Sequence, residues 1–162
     1  FEEQSGTLAI NYAESTEGAE LVTNGTFAGV ANGTDVITLS GWTAYNSPTS
    51  RDIESEKLEI IASGSNQGAI LSITTTVGIT YKLQYTATGD TGASGIYINN
   101  VSGVNTSTET TYFFVAVQAT TTIYFRAGVN WIGTTYYDDI SVKAITGHGI
   151  YDNAPATVIS TI

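Results

Sequence analysis

The stretch ITYKLQYTA, residues 79–87, alternates apolar and polar residues without a break. Its apolar members are Ile79, Tyr81, Leu83, Tyr85 and Ala87, and its polar members are Thr80, Lys82, Gln84 and Thr86. An alternation with a period of two residues is typical of a strand that has one face in the core and the other in solvent. The stretch therefore predicts a half-buried β-strand.

The same alternation recurs on both sides of this stretch. The further segments that show it are 58–61, 69–74, 96–101, 112–119, 121–127 and 134–144. The residues between them are rich in Gly, Asn, Asp, Ser and Thr, which favour turns, and no segment has a helical period. About eight to ten short strands at intervals of about ten residues predict an all-β fold, an antiparallel two-sheet β-sandwich or jelly roll.

Composition limits the partners. The chain has 162 residues, the size of one domain with one compact core, and 15 Asp and Glu residues against 5 Lys and Arg give a net charge of -10. Such a charge repels phosphate backbones and anionic lipids, so we expect no nucleic acid partner. No apolar run reaches about 18 residues, so we expect no membrane insertion.

Cysteine and methionine are both absent, which excludes disulfides, thiol nucleophiles and zinc-thiolate sites. A chain that starts at Phe1 without any methionine is expected to be a processed product or an excerpt of a longer polypeptide. Few charges and many Thr, Ser, Gly and Tyr residues are typical of exported surface proteins. We therefore predict an extracellular or virion-surface location.

The two ends differ in character from the middle. Residues 1–19 are acidic around one apolar alternation, and residues 146–162 finish on the β-prone run 157–162. We predict a jelly-roll domain over 20–145, preceded by a linker or added edge strand over 1–19. Residues 146–162 are predicted to be a tail or a further added strand.

No motif in the sequence brings catalytic groups together. The single histidine, His148, lies between two glycines, so no triad base or histidine-based zinc site is supported. Glycoside hydrolysis needs two carboxylates across a cleft, and the sequence pairs no two of its acids. We therefore predict that the chain is not an enzyme.

Five motifs occur in a characteristic order along the chain. They are ELVTNGTF at 20–27, GW at 41–42, LEI at 58–60, ILSITTTVGITYKLQYTA at 70–87 and YYDDISVKA at 136–144. In this order the chain resembles carbohydrate-binding modules of the family 4, 9 and 22 type, galactose-binding-like jelly rolls also found in phage tail fibres and other virion or secreted proteins. The resemblance implies a jelly roll with a non-catalytic binding role.

Asp138 carries a metal prediction. Alternation places it on the same side as Ile140 and Val142, hence toward the interior, where a carboxylate is costly unless it is paired or bound to a metal. The resemblance implies that the corresponding aspartate ligates a structural calcium, although Ala28 stands where the family has an acidic residue. Hydrogen bonds from backbone amides to Asp138 are the alternative.

Sugar rings stack their C–H faces on exposed aromatic rings, so exposed aromatics are candidate sugar-binding residues. Trp131 lies in a loop outside every alternating run and is predicted to be exposed, whereas Trp42 is predicted to be a core residue. The further candidates are Tyr45, Tyr97, Tyr124 and Tyr137, with Gln84 and Arg126 beside them. Tyr124 and Tyr137 fall on the polar sides of their strands, which predicts a wet aromatic face. The alternative is that tyrosines are simply good strand formers.

Two functional classes follow from these patterns. The first is a module that binds glycans or a cell-surface receptor. The second is a structural assembly subunit, such as a capsid decoration, fibre or filament protein, whose terminal strands pair with other copies of itself. Leu8, Ile10 and Tyr12 alternate with polar or small residues, and 157–162 is mostly β-branched, so we predict a homo-oligomer.

Overall fold

A computed structural model describes residues 16–90, 95–99, 105–106, 111–127 and 132–146. Within these ranges the regular structure is β-strand apart from one 3-10 turn at Val36–Thr38. The strands are β1 Thr16–Glu20, β2 Thr34–Asp35, β3 Trp42–Tyr45, β4 Asp52–Glu54, β5 Lys57–Ser63, β6 Gly68–Thr74, β7 Thr80–Gly89, β8 Ile96–Ile98, β9 Asn105–Thr106, β10 Thr111–Val115, β11 Thr120–Arg126 and β12 Ile132–Thr146. In the same ranges no helix is long and apolar enough to span a membrane.

The strands form two antiparallel sheets. The seven-stranded sheet has the order β10-β7-β12-β5-β4-β2, with β1 paired to β12, and the five-stranded sheet has the order β3-β6-β11-β8-β9. The predicted strand over 79–87 is β7, in which Tyr81, Leu83 and Tyr85 are buried and the residues between them face outward. The predicted all-β sandwich is confirmed.

The core lies between the two sheets and is rich in aliphatic and aromatic side chains. Trp42 is 4% exposed, and its ring centroid lies 5.2 Å from that of Phe125 and 6.0 Å from that of Phe27. The prediction that Trp42 is a core residue is confirmed.

The ELVTNGTF motif turns the chain back onto the middle of β12. Asn24 takes a positive φ of 51°, which asparagine tolerates better than most residues. Gly25 is required for a close approach, because a Cβ there would lie 1.8 Å from the carbonyl oxygen of Ile140. Its own carbonyl oxygen accepts the amide of Ile140 at 2.9 Å.

A β-bulge in β12 reverses the predicted side of Asp138. The register with β7 shifts between Asp138 and Ser141, and Asp139 takes a positive φ of 52°. Because the bulge adds one residue, Tyr137 and Ile140 both face the core and Asp138 lies half-buried on the outer side. The prediction that Asp138 points inward and is buried is therefore wrong. Its Oδ1 accepts the amide of Asp139 at 2.7 Å.

Residues 16–20 add a strand to the edge of the sandwich. The carboxylate of Glu20 accepts the amides of Val22 at 3.0 Å and Val142 at 2.8 Å. Glu17 forms ion pairs with Lys82 at 2.7 Å and Lys143 at 3.0 Å. These contacts tie β1 to β12 and β7. Residues 1–15 and 147–162, on which the assembly predictions depend, lie outside the described residues, and the domain boundaries stay a prediction.

Candidate ligand-binding face

Three adjacent tyrosine rings lie on the outer face of the five-stranded sheet. We call Tyr45, Tyr97 and Tyr124 the tyrosine cluster. The ring centroid of Tyr124 lies 4.8 Å from that of Tyr45 at an interplanar angle of 77°, and 5.4 Å from that of Tyr97 at 59°. All three side chains are half-buried. Rings at these separations are in contact, so the cluster forms one continuous aromatic surface.

Strand register brings the three rings together. Tyr124 on β11 pairs with Tyr97 on β8 on one side and with Ile70 on β6 on the other. Tyr45 on β3 pairs with Gly68 on β6. Residues that pair across antiparallel strands share a face of the sheet, so three distant parts of the chain supply neighbouring rings.

Gly68 fits a position that tolerates no larger residue. It has a φ of +154°, and a Cβ added there would lie 2.0 Å from the carbonyl oxygen of Phe125. The same glycine stands between Tyr45 on β3 and Arg126 on β11. Because Gly68 has no side chain, the Tyr45 ring reaches across it to contact Tyr124.

The turn between β5 and β6 fixes the outer edge of the tyrosine cluster. The Tyr45 hydroxyl donates to Oδ1 of Asn66 at 2.8 Å, and Nδ2 of Asn46 donates to the carbonyl oxygen of Asn66 at 2.6 Å. Asn46 and Asn66 both take positive φ values, of 53° and 60°. Partial burial raises the pKa of Tyr45, so its phenol is neutral at physiological pH.

Arg126 supports the tyrosine cluster from within the sheet. It is 5% exposed, its Cζ lies 5.6 Å from the centroid of the Tyr97 ring, and its Nε donates to the carbonyl oxygen of Gly95 at 3.0 Å. Burial lowers the pKa of the guanidinium, which nevertheless stays charged because the ordinary value is so high. A cation over a ring face is attracted to its π electrons, so Arg126 holds Tyr97 in place.

Hydroxyl groups lie along the strands that carry the rings. Thr43 on β3 is exposed and pairs with Ile70, and Ser72 on β6 pairs with Thr122 on β11. The Thr122 oxygen is buried and has no hydrogen-bond partner among the described residues. Aromatic rings beside hydroxyls are the combination that a sugar ring requires, with C–H faces against the rings and polar groups for its own hydroxyls.

Of the sugar-binding candidates, the structure gathers Tyr45, Tyr97, Tyr124 and Arg126. Gln84 does not join them. It lies on the outer face of β7 in the other sheet, where its Nε2 donates to Thr111 at 3.4 Å. The prediction that it shares a face with Tyr124 is wrong, because alternation assigns a side of a strand but not the sheet to which the strand belongs.

Tyr137 is a core residue. It is 1% exposed, its ring lies 5.2 Å from that of Phe125, and its hydroxyl donates to the carbonyl oxygen of Arg126 at 2.5 Å. Burial raises its pKa well above the ordinary value. The prediction that Tyr137 faces solvent is wrong, for the same reason as for Asp138: the bulge changes which residues of β12 face the core. Trp131 lies outside the described residues.

The calcium site at Asp138 stays a prediction. Among the described residues no group of three or more Asp, Glu, His or Cys side chains could hold a metal ion. Calcium takes six to eight oxygens, of which Asp138 would supply a carboxylate and Ala28 none from its side chain. A calcium ion at Asp138 would therefore depend mainly on backbone carbonyls and water.

Asn46, Asn66, Gly68 and Thr122 belong to this face although the sequence did not single them out. The run SNQG at 65–68 signals a turn, but nothing in it indicates that the turn holds a tyrosine from another strand. The pairing of Tyr45 with Gly68 depends on sheet order, which the sequence leaves open.

Similarity to known proteins is found among solved structures. No protein-family model matches the chain, and no curated protein matches it in sequence. The chain is similar to a solved structure described as "CBM4 structure and function", with 16% sequence identity and a TM-score of 0.43, over 76% of this chain and 99% of that one. At that identity and TM-score, function has to be argued from the geometry of the chain itself.

Proposed function

We propose that the chain is a non-catalytic glycan-binding β-sandwich module whose binding surface is the tyrosine cluster. The observation that carries this proposal is the contact of the Tyr124 ring with both Tyr45 and Tyr97 on the outer face of one sheet. Half-buried rings held by strands form a rigid apolar surface, which binds a sugar with little loss of conformational entropy. The hydroxyls of Thr43 and Ser72 lie on the same face.

Charge favours neutral glycans as ligands. The chain carries a net charge of -10, which repels acidic polysaccharides at long range. Among the described residues, Arg126 is the one cation at the tyrosine cluster. It is 5% exposed and so presents little charge to a ligand. The face therefore offers rings and hydroxyls, which suit an uncharged sugar chain.

We also propose an extracellular or virion-surface location, a cell-surface receptor as the glycan carrier and a structural calcium at Asp138. For calcium, melting temperatures in the presence of calcium and of a chelator provide the test. A bound ion stabilises the folded state, so calcium is expected to raise the melting temperature of the parent chain and not that of an Asp138→Ala variant.

A glycan array probed with matched variants tests the binding function. We expect the parent chain to bind neutral glycans and Tyr124→Ala to lose about fivefold in affinity, because one stacked ring contributes on the order of 1 kcal/mol. Tyr136→Ala is the control, since Tyr136 is a half-buried tyrosine on the outer face of the other sheet. Circular dichroism of each variant shows whether the fold is intact. Absence of glycan binding by the folded parent chain would contradict the proposal.

A further inference from the structure

Three exposed valines lie together at one end of the sandwich. Val77 lies in the turn between β6 and β7, Val115 ends β10, and Val117 follows in the turn to β11. Their side chains are 61%, 40% and 54% exposed, respectively. We call this surface the apolar pole. Contiguous exposed apolar side chains are typical of surfaces that another segment or molecule covers.

Hydrogen bonds between the two turns fix the apolar pole. The amide of Gly78 donates to the carbonyl oxygen of Ala116 at 2.8 Å, and the amide of Ala116 donates to that of Ile79 at 3.0 Å. The amide of Thr75 donates to the carbonyl oxygen of Ala119 at 2.9 Å. Ala116, between Val115 and Val117, is buried. The valines are therefore presented on a backbone that is already ordered.

The chain passes into residues 147–162 beside this surface. Val115 on β10 pairs with Thr80 on β7, and Thr80 pairs with Ile145 on β12. Two strand spacings separate Val115 from Ile145, about 10 Å. Thr146, the last described residue of β12, is thus close to the apolar pole.

The segment 147–162 has the chemistry to cover exposed valines. Its larger apolar residues are Ile150, Tyr151, Val158, Ile159 and Ile162. Asp152 is its one acidic residue, whereas residues 1–15, which also join the domain at this end, contain Glu2, Glu3 and Glu14. The C-terminal segment is the better match to an uncharged apolar surface.

We propose that the segment 147–162 docks on the apolar pole of its own chain. Val158 is twelve residues beyond Thr146, and an extended chain of that length reaches about 40 Å, which is ample. A segment tethered so close has an effective concentration on the order of millimolar, about a hundredfold above a protein solution of about 10 μM. Docking within one chain therefore outcompetes docking on a second copy.

Cysteine cross-linking tests the docking directly, because the chain has no cysteine of its own. Val117→Cys is combined with Val158→Cys and treated with a short bismaleimide at about 10 μM protein. The control combines Val158→Cys with Ser65→Cys, an exposed position in the turn between β5 and β6 at the opposite end of β6. We expect at least about tenfold more cross-linked monomer from the first pair than from the control, because docking holds residue 158 near Val117 and away from position 65.

Two results would overturn the proposal. Cross-linked dimers from the first pair would show that the segment 147–162 docks on the apolar pole of a second copy. An equal yield of cross-linked monomer from the two pairs would show that residue 158 does not dock there. If a cysteine variant fails to fold, hydrogen exchange measured on the chain without introduced cysteines tests the proposal instead. Val77→Ser with Val117→Ser is expected to speed exchange in 157–162 by about tenfold, the factor that follows from weakening apolar contacts by about 1.4 kcal/mol. Unchanged exchange there would refute docking.

Discussion

The outer faces of the two sheets differ in the side chains that they expose. The seven-stranded sheet carries ion pairs, with Glu17 between Lys82 and Lys143, while Asp35 pairs with Arg51 nearby at 2.8 Å. The described strands of the five-stranded sheet form none of these ion pairs and carry the tyrosine cluster instead. Exposed ion pairs keep their water and contribute little to binding energy. Aromatic rings gain by losing water, so the five-stranded sheet is the face suited to a ligand.

A tyrosine on the seven-stranded sheet sharpens this comparison. Tyr136 hydrogen-bonds to Glu59, and that bond raises the pKa of the Tyr136 phenol. Among the described residues it stands beside a carboxylate rather than in contact with other rings. One tyrosine beside charges is ordinary strand surface, whereas three rings in contact form a platform.

The largest expected effect is on the backbone beneath the tyrosine cluster. Gly68→Ala would place a Cβ 2.0 Å from the carbonyl oxygen of Phe125, so β6 and β11 would have to separate. We expect at least about 3 kcal/mol of lost stability, measured by urea unfolding, together with loss of glycan binding. Gly78→Ala is the control, because Gly78 has a φ of +84° but open space around it, and should cost about 1 kcal/mol. Equal effects would show that crowding at Gly68 is unimportant.

The sequence predicted the fold better than it predicted this face. Alternation over 79–87 identified β7 because a regular strand with one buried face leaves a period of two. The same rule failed at Asp138 and Tyr137, where a bulge adds one residue and has no sequence signature as clear as a glycine turn. The assembly of Tyr45 and Tyr124 across Gly68 depends on sheet order, which is a property of long-range packing.

Substitution is expected to destabilise the fold more at Tyr137 than at Tyr124, although the sequence predicted a solvent-facing ring at both positions. Tyr137→Phe leaves the buried carbonyl oxygen of Arg126 without its 2.5 Å donor, so we expect a loss of about 1–2 kcal/mol in the free energy of unfolding. Tyr124→Phe changes a half-buried ring on the outer face and should alter stability by less than about 0.5 kcal/mol. Chemical denaturation at one temperature measures both. A larger effect at Tyr124 would reverse the assignment of core and surface.

The smallest effect concerns an ion pair near the charged face. The hydrogen bonds from Arg51 lower the pKa of Asp35, so the folded state binds its proton less readily than the unfolded state does. The ionised Asp35 therefore stabilises the folded state at neutral pH. This contribution is lost as the pH falls from the ordinary carboxyl pKa through the lower pKa of the folded state. Since the pair is partly exposed, we expect about 0–1 kcal/mol. In Asp35→Asn this part of the acid dependence should vanish, and urea midpoints at neutral and acid pH measure it. An unchanged acid dependence would show that Asp35 is not responsible.

Nuclear magnetic resonance tests the binding face most directly. The 15N-labelled chain is titrated with a neutral glycan that it binds on the array, and amide shifts are mapped on both sheets. We expect the largest changes at Tyr45, Tyr97 and Tyr124, and none of similar size at Tyr136 and Lys82. Changes concentrated on the seven-stranded sheet, or spread evenly over both, would contradict the assignment of the tyrosine cluster as the glycan-binding surface.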